Sequence, residues 1–276
     1  MSSVLKQLSV GLFTKREGIT TQSLRRWNFG LAGLYFVQAV AILLLGTNVA
    51  RVFPVMATFL ASDSLQTKIA GHNVLAQAGR QLFTVNLSYL IVTFFLLSVI
   101  SHLLLGTIYR KRYERDLKRG VNTLRWIEYA LSLSTMTVVV GFISGIYDLP
   151  TLVMLFALMT VLNLFGLTAE TRDIDLKKSP WVSYVVACIA GGLPWLVLAF
   201  YLFGAFVYGD GRVAAFVYWV YGSMFILFVG FVINTYLRNS RYGKWADYMH
   251  VERLYMVLSL TAKTLLAWLV FAGLRP

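Results

Sequence analysis

Seven long apolar stretches separated by polar connections make up most of the chain, at about residues 28–49, 82–108, 122–146, 150–170, 181–207, 213–236 and 253–274. Each holds roughly 20 or more mainly apolar residues, enough for a helix to cross a ~30 Å hydrocarbon core. Backbone groups in lipid must hydrogen-bond within their own segment, so these stretches read as helices rather than isolated strands. The pattern predicts an all-α membrane protein, a seven-transmembrane-helix bundle forming one domain over residues 1–276. No repeat, low-complexity run or long linker divides it. The stretch MSSVLKQLSVGLFTKREG is polar and mixed and has no cleavable apolar core, so the first span is expected to act as an uncleaved signal anchor.

One connection, residues 50–81, is long. Its apolar start (Val52, Phe53, Val55, Met56) and the turn signal Gly71-His72-Asn73 permit a short β-hairpin between helices one and two. No metal-ligating residues are spaced around His72, which therefore reads as a solvated or interface residue.

Composition agrees with the pattern. Of 276 residues, 58% are hydrophobic and 13% charged, about half the charge share of a soluble domain. The formal charge of +13 could suggest nucleic acid, but the basic residues sit in connections between spans, where topology explains them. Lys and Arg crowd the N-terminal tail (Lys6, Lys15, Arg16, Arg25, Arg26) and the connections after spans two, four and six. The opposite side carries only Arg51, Lys68, Arg80, Arg212 and Arg275. The positive-inside rule then places the N-terminus in the cytoplasm. Cys188 is the single cysteine, so no intramolecular disulfide forms.

Against this apolar background, Lys263 stands near the middle of the last span, the one lysine inside any span. An ammonium group there costs roughly 2.5–3.5 kcal/mol even on lenient insertion scales, so such residues are usually functional. It could be neutral, paired with a carboxylate, or covalently consumed as an imine. Glu128 in span three lies nine residues beyond Arg119, and Lys263 ten beyond Arg253. Both helices run the same way, so both residues are expected about 14–15 Å along them, as partners. Ser259 and Ser132 share the faces of Lys263 and Glu128 one turn away. His102 in span two falls in the same half, either as a packing residue or as a proton acceptor. Glu170 reads as a solvated helix end or as a member of the same network. Asn28, Gln38, Ser98, Asn122, Arg125, Tyr129 and Tyr248 complete a polar set on the cytoplasmic side. The outer halves, such as Thr135–Tyr147 and Thr264–Gly273, contain no Asp, Glu, His, Lys or Arg.

Seven helices, a lone lysine in the last and a carboxylate in the third resemble the retinal-binding rhodopsins. The sequence is most similar to the heliorhodopsins, through Arg125-Trp126-Ile127-Glu128-Tyr129, Ser259 with Lys263 and Trp268, His102, and Asn28 with Gln38. The N-terminus-inside topology also matches that family. The resemblance implies that Lys263 forms a protonated imine with all-trans retinal and that Glu128 is its counterion. It further implies that Ser259 bonds the imine, that His102 belongs to a cytoplasmic cavity, and that Trp268 and Phe228 wall the pocket. Tyr35 stands where members often carry a second cavity histidine, which leaves His102 or water as proton acceptor.

The implied function is light sensing with signalling to a partner, without chemistry on a substrate. The implied assembly is a homodimer in the cell membrane, contacting lipid and no nucleic acid. A light-driven or light-gated proton transporter is the alternative. Ordinary pumps resemble one another in an aspartate four residues before the lysine and a second carboxylate three turns along helix three; here those positions hold Ser259 and Val139. A chromophore-free transporter using Lys263 and Glu128 as an ion pair is a third reading.

Overall fold

The computed structural model describes residues 20–46, 52–174, 179–209 and 213–274. Its elements in order are α1 (Thr21–Gly46), β1 (Val52–Ser62), α2 (Ser64–Ala70), β2 (Leu75–Asn86), α3 (Leu87–Gly106), α4 (Arg110–Arg119), α5 (Thr123–Ile143), α6 (Leu149–Ile174), α7 (Trp181–Tyr208), α8 (Ala215–Asn239) and α9 (Tyr248–Gly273). Among the described residues, seven helices are long and apolar enough to cross a membrane: α1, α3, α5, α6, α7, α8 and α9. The chain is thus an integral, multi-pass membrane protein. Several basic residues of the topology argument (Lys6, Lys15, Arg16, Arg51, Lys177, Lys178, Arg212 and Arg275) lie outside the described residues.

Neighbouring helices follow one another round a closed ring, α1 to α3, α5, α6, α7, α8, α9 and back to α1. Helix α5 is the most enclosed, with 72% of its apolar window buried. The reason lies in its sequence. Arg125, Glu128 and Ser132 recur at three- and four-residue spacing, so their side chains share one face. In lipid that face has to turn inward. The wholly apolar faces of α7 and α8 turn outward, exposing Phe200, Phe203, Trp219 and Ile226.

The long connection is a β-hairpin, and it is longer than the sequence suggests. β1 pairs antiparallel with β2 from Val52↔Asn86 to Ser62↔Leu75, with a register shift between Val55 and Met56. Its tip is a helix instead of a tight turn. Asp63 caps α2 by accepting from Leu65 N and Gln66 N, and Gly71 ends it at φ 71°, a left-handed conformation natural to glycine. Met56 N donates to Tyr147 O, and Val55 is buried, so the hairpin is fastened to the α5–α6 connection.

Three helix starts differ from the hydropathy reading. Residues 82–86 are strand, because they pair with β1 and Asn86 then caps α3 through Ser88 N. Helix α1 begins at Thr21 instead of 28. Helix α9 begins at Tyr248 instead of 253, capped by Asp247. Polar residues in the first turns hid these starts from an apolar window.

Gly166 on α6 packs flat against the Trp126 ring, so that a methyl group there would overlap the indole. Gly166→Ala is therefore expected to destabilise the bundle by about 1–3 kcal/mol through overpacking, read as a lowered unfolding temperature in detergent.

Candidate functional site

Lys263 lies about four turns along α9, and its side chain is fully enclosed. Nζ donates to Glu128 Oε1 at 2.7 Å and to Ser259 Oγ at 2.9 Å. Ser98 of α3 donates to the same Oε1 at 2.8 Å. The rings of Tyr35 and Tyr129 lie 5.5 and 5.3 Å from Nζ, close enough for cation–π attraction. The charges on α5 and α9 are paired with each other, and hydroxyls fill part of their remaining hydrogen-bonding capacity. That is the condition under which a buried ion pair is tolerated.

Glu128 and Lys263 meet at one level of the bundle although they lie at different distances from the starts of their helices. Val121 and Asn122 are already buried before α5 begins, so α5 starts inside the bundle. Lys263 is much further along α9 than Glu128 is along α5. The lysine chain leans back toward the N-terminus of its helix, as long helical side chains do, and reaches Ser259 one turn earlier.

A second network lies closer to the α4 end. Arg125 sits between two carboxylates, its Nη2 donating to Glu170 Oε1 at 2.6 Å and its Nη1 to Glu252 Oε2. Tyr248 donates to Glu170 Oε2 at 3.0 Å, and Asn122 Nδ2 to Glu252 Oε1 at 2.6 Å. Tyr113, from α4 outside the spans, also donates to Glu252, at 3.2 Å. Burial, together with the Glu252 charge, pushes its phenol well above the ordinary range, so it keeps the proton it donates. Asn28 Nδ2 donates to Leu24 O and reaches the Tyr113 oxygen at 3.5 Å. Its Oδ1 therefore accepts from His102 Nδ1 at 2.7 Å, so that Nδ1 is the nitrogen that donates. The His102 ring stacks on Tyr35 at 5.6 Å, and Tyr35 also lies beside Lys263. The two networks meet through that tyrosine.

Most of the polar residues singled out in the sequence are thus brought together, including Glu170, which is buried rather than solvated. Three are placed differently. Gln38 accepts from Trp268 Nε1 at 3.2 Å, five residues past Lys263 toward the hairpin end, and takes no part in the α4-side set. Trp268 is half-exposed beside α1 and lines neither apolar cavity described below. Five helical residues rotate about 140°, which turns it away from Lys263. The Tyr129 hydroxyl donates to Tyr255 O, so only its ring serves the lysine. Glu252 and Tyr113 were missed because both were read as connection residues. The spacing Glu252, Ser259, Lys263 (seven, then four) puts all three on one helical face and was the available signal.

From Lys263 toward the hairpin, buried polar side chains such as Ser134, Thr135, Thr137 and Ser144 are hydroxyls. The buried ionisable groups among the described residues lie level with Lys263 or on the α4 side. Two apolar cavities of about 60 Å³ each adjoin the site. One reaches Ala262, beside the lysine; the other runs to Cys188. They share Leu133, Met159, Phe228 and Phe231 as walls.

The heliorhodopsin family profile matches residues 24–274, nearly the whole chain. The chain belongs to the heliorhodopsin family. No curated protein matches this heliorhodopsin. Among solved structures it is similar to the crystal structure of a light-driven proton pump, LR (Mac), from Leptosphaeria maculans. The TM-score is 0.60 at 15% identity, covering 90% of this chain and 93% of that one. At that identity the likeness is one of fold.

Membership of a rhodopsin family implies a retinal chromophore, and the residues present fit one. An aldehyde needs a primary amine, and Lys263 offers the one amine enclosed in the bundle among the described residues. A polyene needs an elongated apolar slot. The two adjoining apolar cavities share four walls and lie along such a course.

Replacing Arg125 by Met would leave Glu170 and Glu252 facing each other in a buried site. The expected outcome is a loss of about 3–5 kcal/mol, measured as a large fall in unfolding temperature. Glu252→Gln, which keeps the hydrogen-bonding shape, should cost less in the same assay.

Proposed function

We propose that this heliorhodopsin is a photosensory receptor in which Lys263 holds all-trans retinal covalently and Glu128 is the counterion. The observation that carries the reading is the 2.7 Å contact of Lys263 Nζ with Glu128, supported by Ser98 and Ser259. When bound, retinal supplies absorption of visible light and a light-driven change of shape beside the Lys263 nitrogen.

The chain's own residues then govern a proton. Glu128 beside the nitrogen favours its charged form, since an opposite charge within a few Å stabilises ionisation. Displacement of the nitrogen from Glu128 lowers its hold on that proton. His102 lies on the α4 side of Tyr35 and offers Nε2 as acceptor. From there Asn28, Tyr113 and Glu252 lead to Arg125 and Glu170. In this reading the N-terminus is cytoplasmic, the proton leaves and returns on that side, and the rearrangement reaches a signalling partner through the α4 surface. Phe228 walls the chromophore slot.

Proton transport is the competing reading. The absence of buried ionisable groups on the hairpin side, among the described residues, argues against an outward exit. Voltage-clamped cells expressing the protein should give no sustained photocurrent; a sustained current would overturn the sensor.

Two variants test the assignment. Protein reconstituted with retinal should absorb visible light, and Lys263→Ala should be colourless. Glu128→Gln should move the band to longer wavelength and let the nitrogen lose its proton at lower pH, because a stabilising negative charge is gone. An unchanged spectrum and titration in Glu128→Gln would remove Glu128 from the role.

A further inference from the structure

Asn163 is a polar residue in the middle of α6, between Met159 and Glu170. It is 2% exposed and lines the apolar cavity that runs to Cys188, but not the one that reaches Ala262. The hydroxyls in the same wall are already engaged. Tyr129 donates to Tyr255 O at 2.8 Å and Tyr184 to Val232 O at 3.4 Å. Thr235 donates to Phe231 O at 2.9 Å and meets the Tyr255 hydroxyl at 2.7 Å. Trp126 turns the six-membered edge of its indole to Gly166 and keeps an unpartnered N–H on the other edge.

Asn163 is left with an unmet acceptor instead. Its Nδ2 donates to Met159 O at 2.7 Å. That bond fixes which way round the amide stands, because a carbonyl accepts only from the nitrogen side. No donor of the described residues reaches Oδ1. A buried carbonyl without a donor is costly, and hydrocarbon offers it none. Leucine would pack the same position without that cost. The amide therefore fits a ligand that is apolar over most of its length and carries one O–H.

We propose that Asn163 receives a hydroxyl on the ring end of the chromophore, so that the slot selects a ring-hydroxylated retinal over plain retinal. The proposal rests on the chromophore reading above, in which Lys263 holds the aldehyde end and the opposite end occupies the second cavity. Oδ1 accepts the ring O–H among apolar walls such as Leu162, Ala187 and Phe228. A site built to meet a hydroxyl rejects the analogue that lacks it, because its own polar group then stays unpaired.

The test is competition between all-trans-retinal and all-trans-3-hydroxyretinal, supplied together in equal excess to the purified full-length apoprotein. Bound chromophores are released, extracted and counted by chromatography, and Lys263→Ala measures what merely dissolves in the detergent micelle. Wild type should favour the hydroxylated form roughly two- to tenfold, the worth of one net hydrogen bond. Asn163→Leu and Asn163→Ala, which lack the acceptor, should show no preference. Equal uptake of the two aldehydes by wild type overturns the proposal. So does a preference that survives in both variants, which would assign it to another wall group such as the Trp126 N–H. Should a variant take up neither aldehyde, the wild-type ratio still decides. If wild type takes up neither, the light-sensing reading falls and this proposal with it; pigment formed without preference sinks the proposal alone.

Discussion

The ion pair between Lys263 and Glu128 constrains the rest of the bundle. Neither charge is tolerable alone in a hydrocarbon environment, and their pairing requires α5 and α9 to keep one rotation and one relative depth. Those two helices are not neighbours in the ring; they face each other across its interior. Helix α5 is consequently drawn to the centre, with Asn122, Arg125, Glu128 and Ser132 along its buried face. The tyrosine rings and serine hydroxyls around the pair follow from the same need, since partly satisfied buried charges are worse than none.

A second constraint lies one level toward the α4 end. Arg125 with Glu170 and Glu252 ties α5, α6 and α9 together, and Tyr113 brings the surface helix α4 into the same network. With Asn28 these residues form a hydrogen-bonded set from α4 to His102, whose ring stacks on the tyrosine beside Lys263. The hairpin half is built on the opposite principle, with apolar packing, uncharged polar side chains and a sheet fastened over the α5–α6 connection. The molecule is chemically one-sided along the membrane normal.

The likeness to a light-driven proton pump at a TM-score of 0.60 and 15% identity is one of scaffold, not of site. Seven apolar helices can be assembled in the same ring by very different sequences, because lipid-facing packing asks mainly for apolar residues of suitable size. What the ring does is set by a handful of interior polar residues, and likeness of fold does not carry those across.

The seven spans and the presence of the hairpin were legible in the order of residues, because hydrocarbon thickness and backbone satisfaction leave little choice. Lys263, Glu128 and Ser259 were legible as well, since a charge in an apolar span is conspicuous and helical spacing fixes its face. The hairpin's length and the helix at its tip were decided by strand pairing between residues far apart in the chain. Glu252 and Tyr113 looked like ordinary connection residues until α5 was found to begin inside the bundle and to meet the second turn of α9. Trp268 lies five residues past Lys263 on α9, and the structure pairs it with Gln38 of α1, away from the lysine. Spacing along one helix determines which residues share a face; only the packing of helices against one another decides what that face meets.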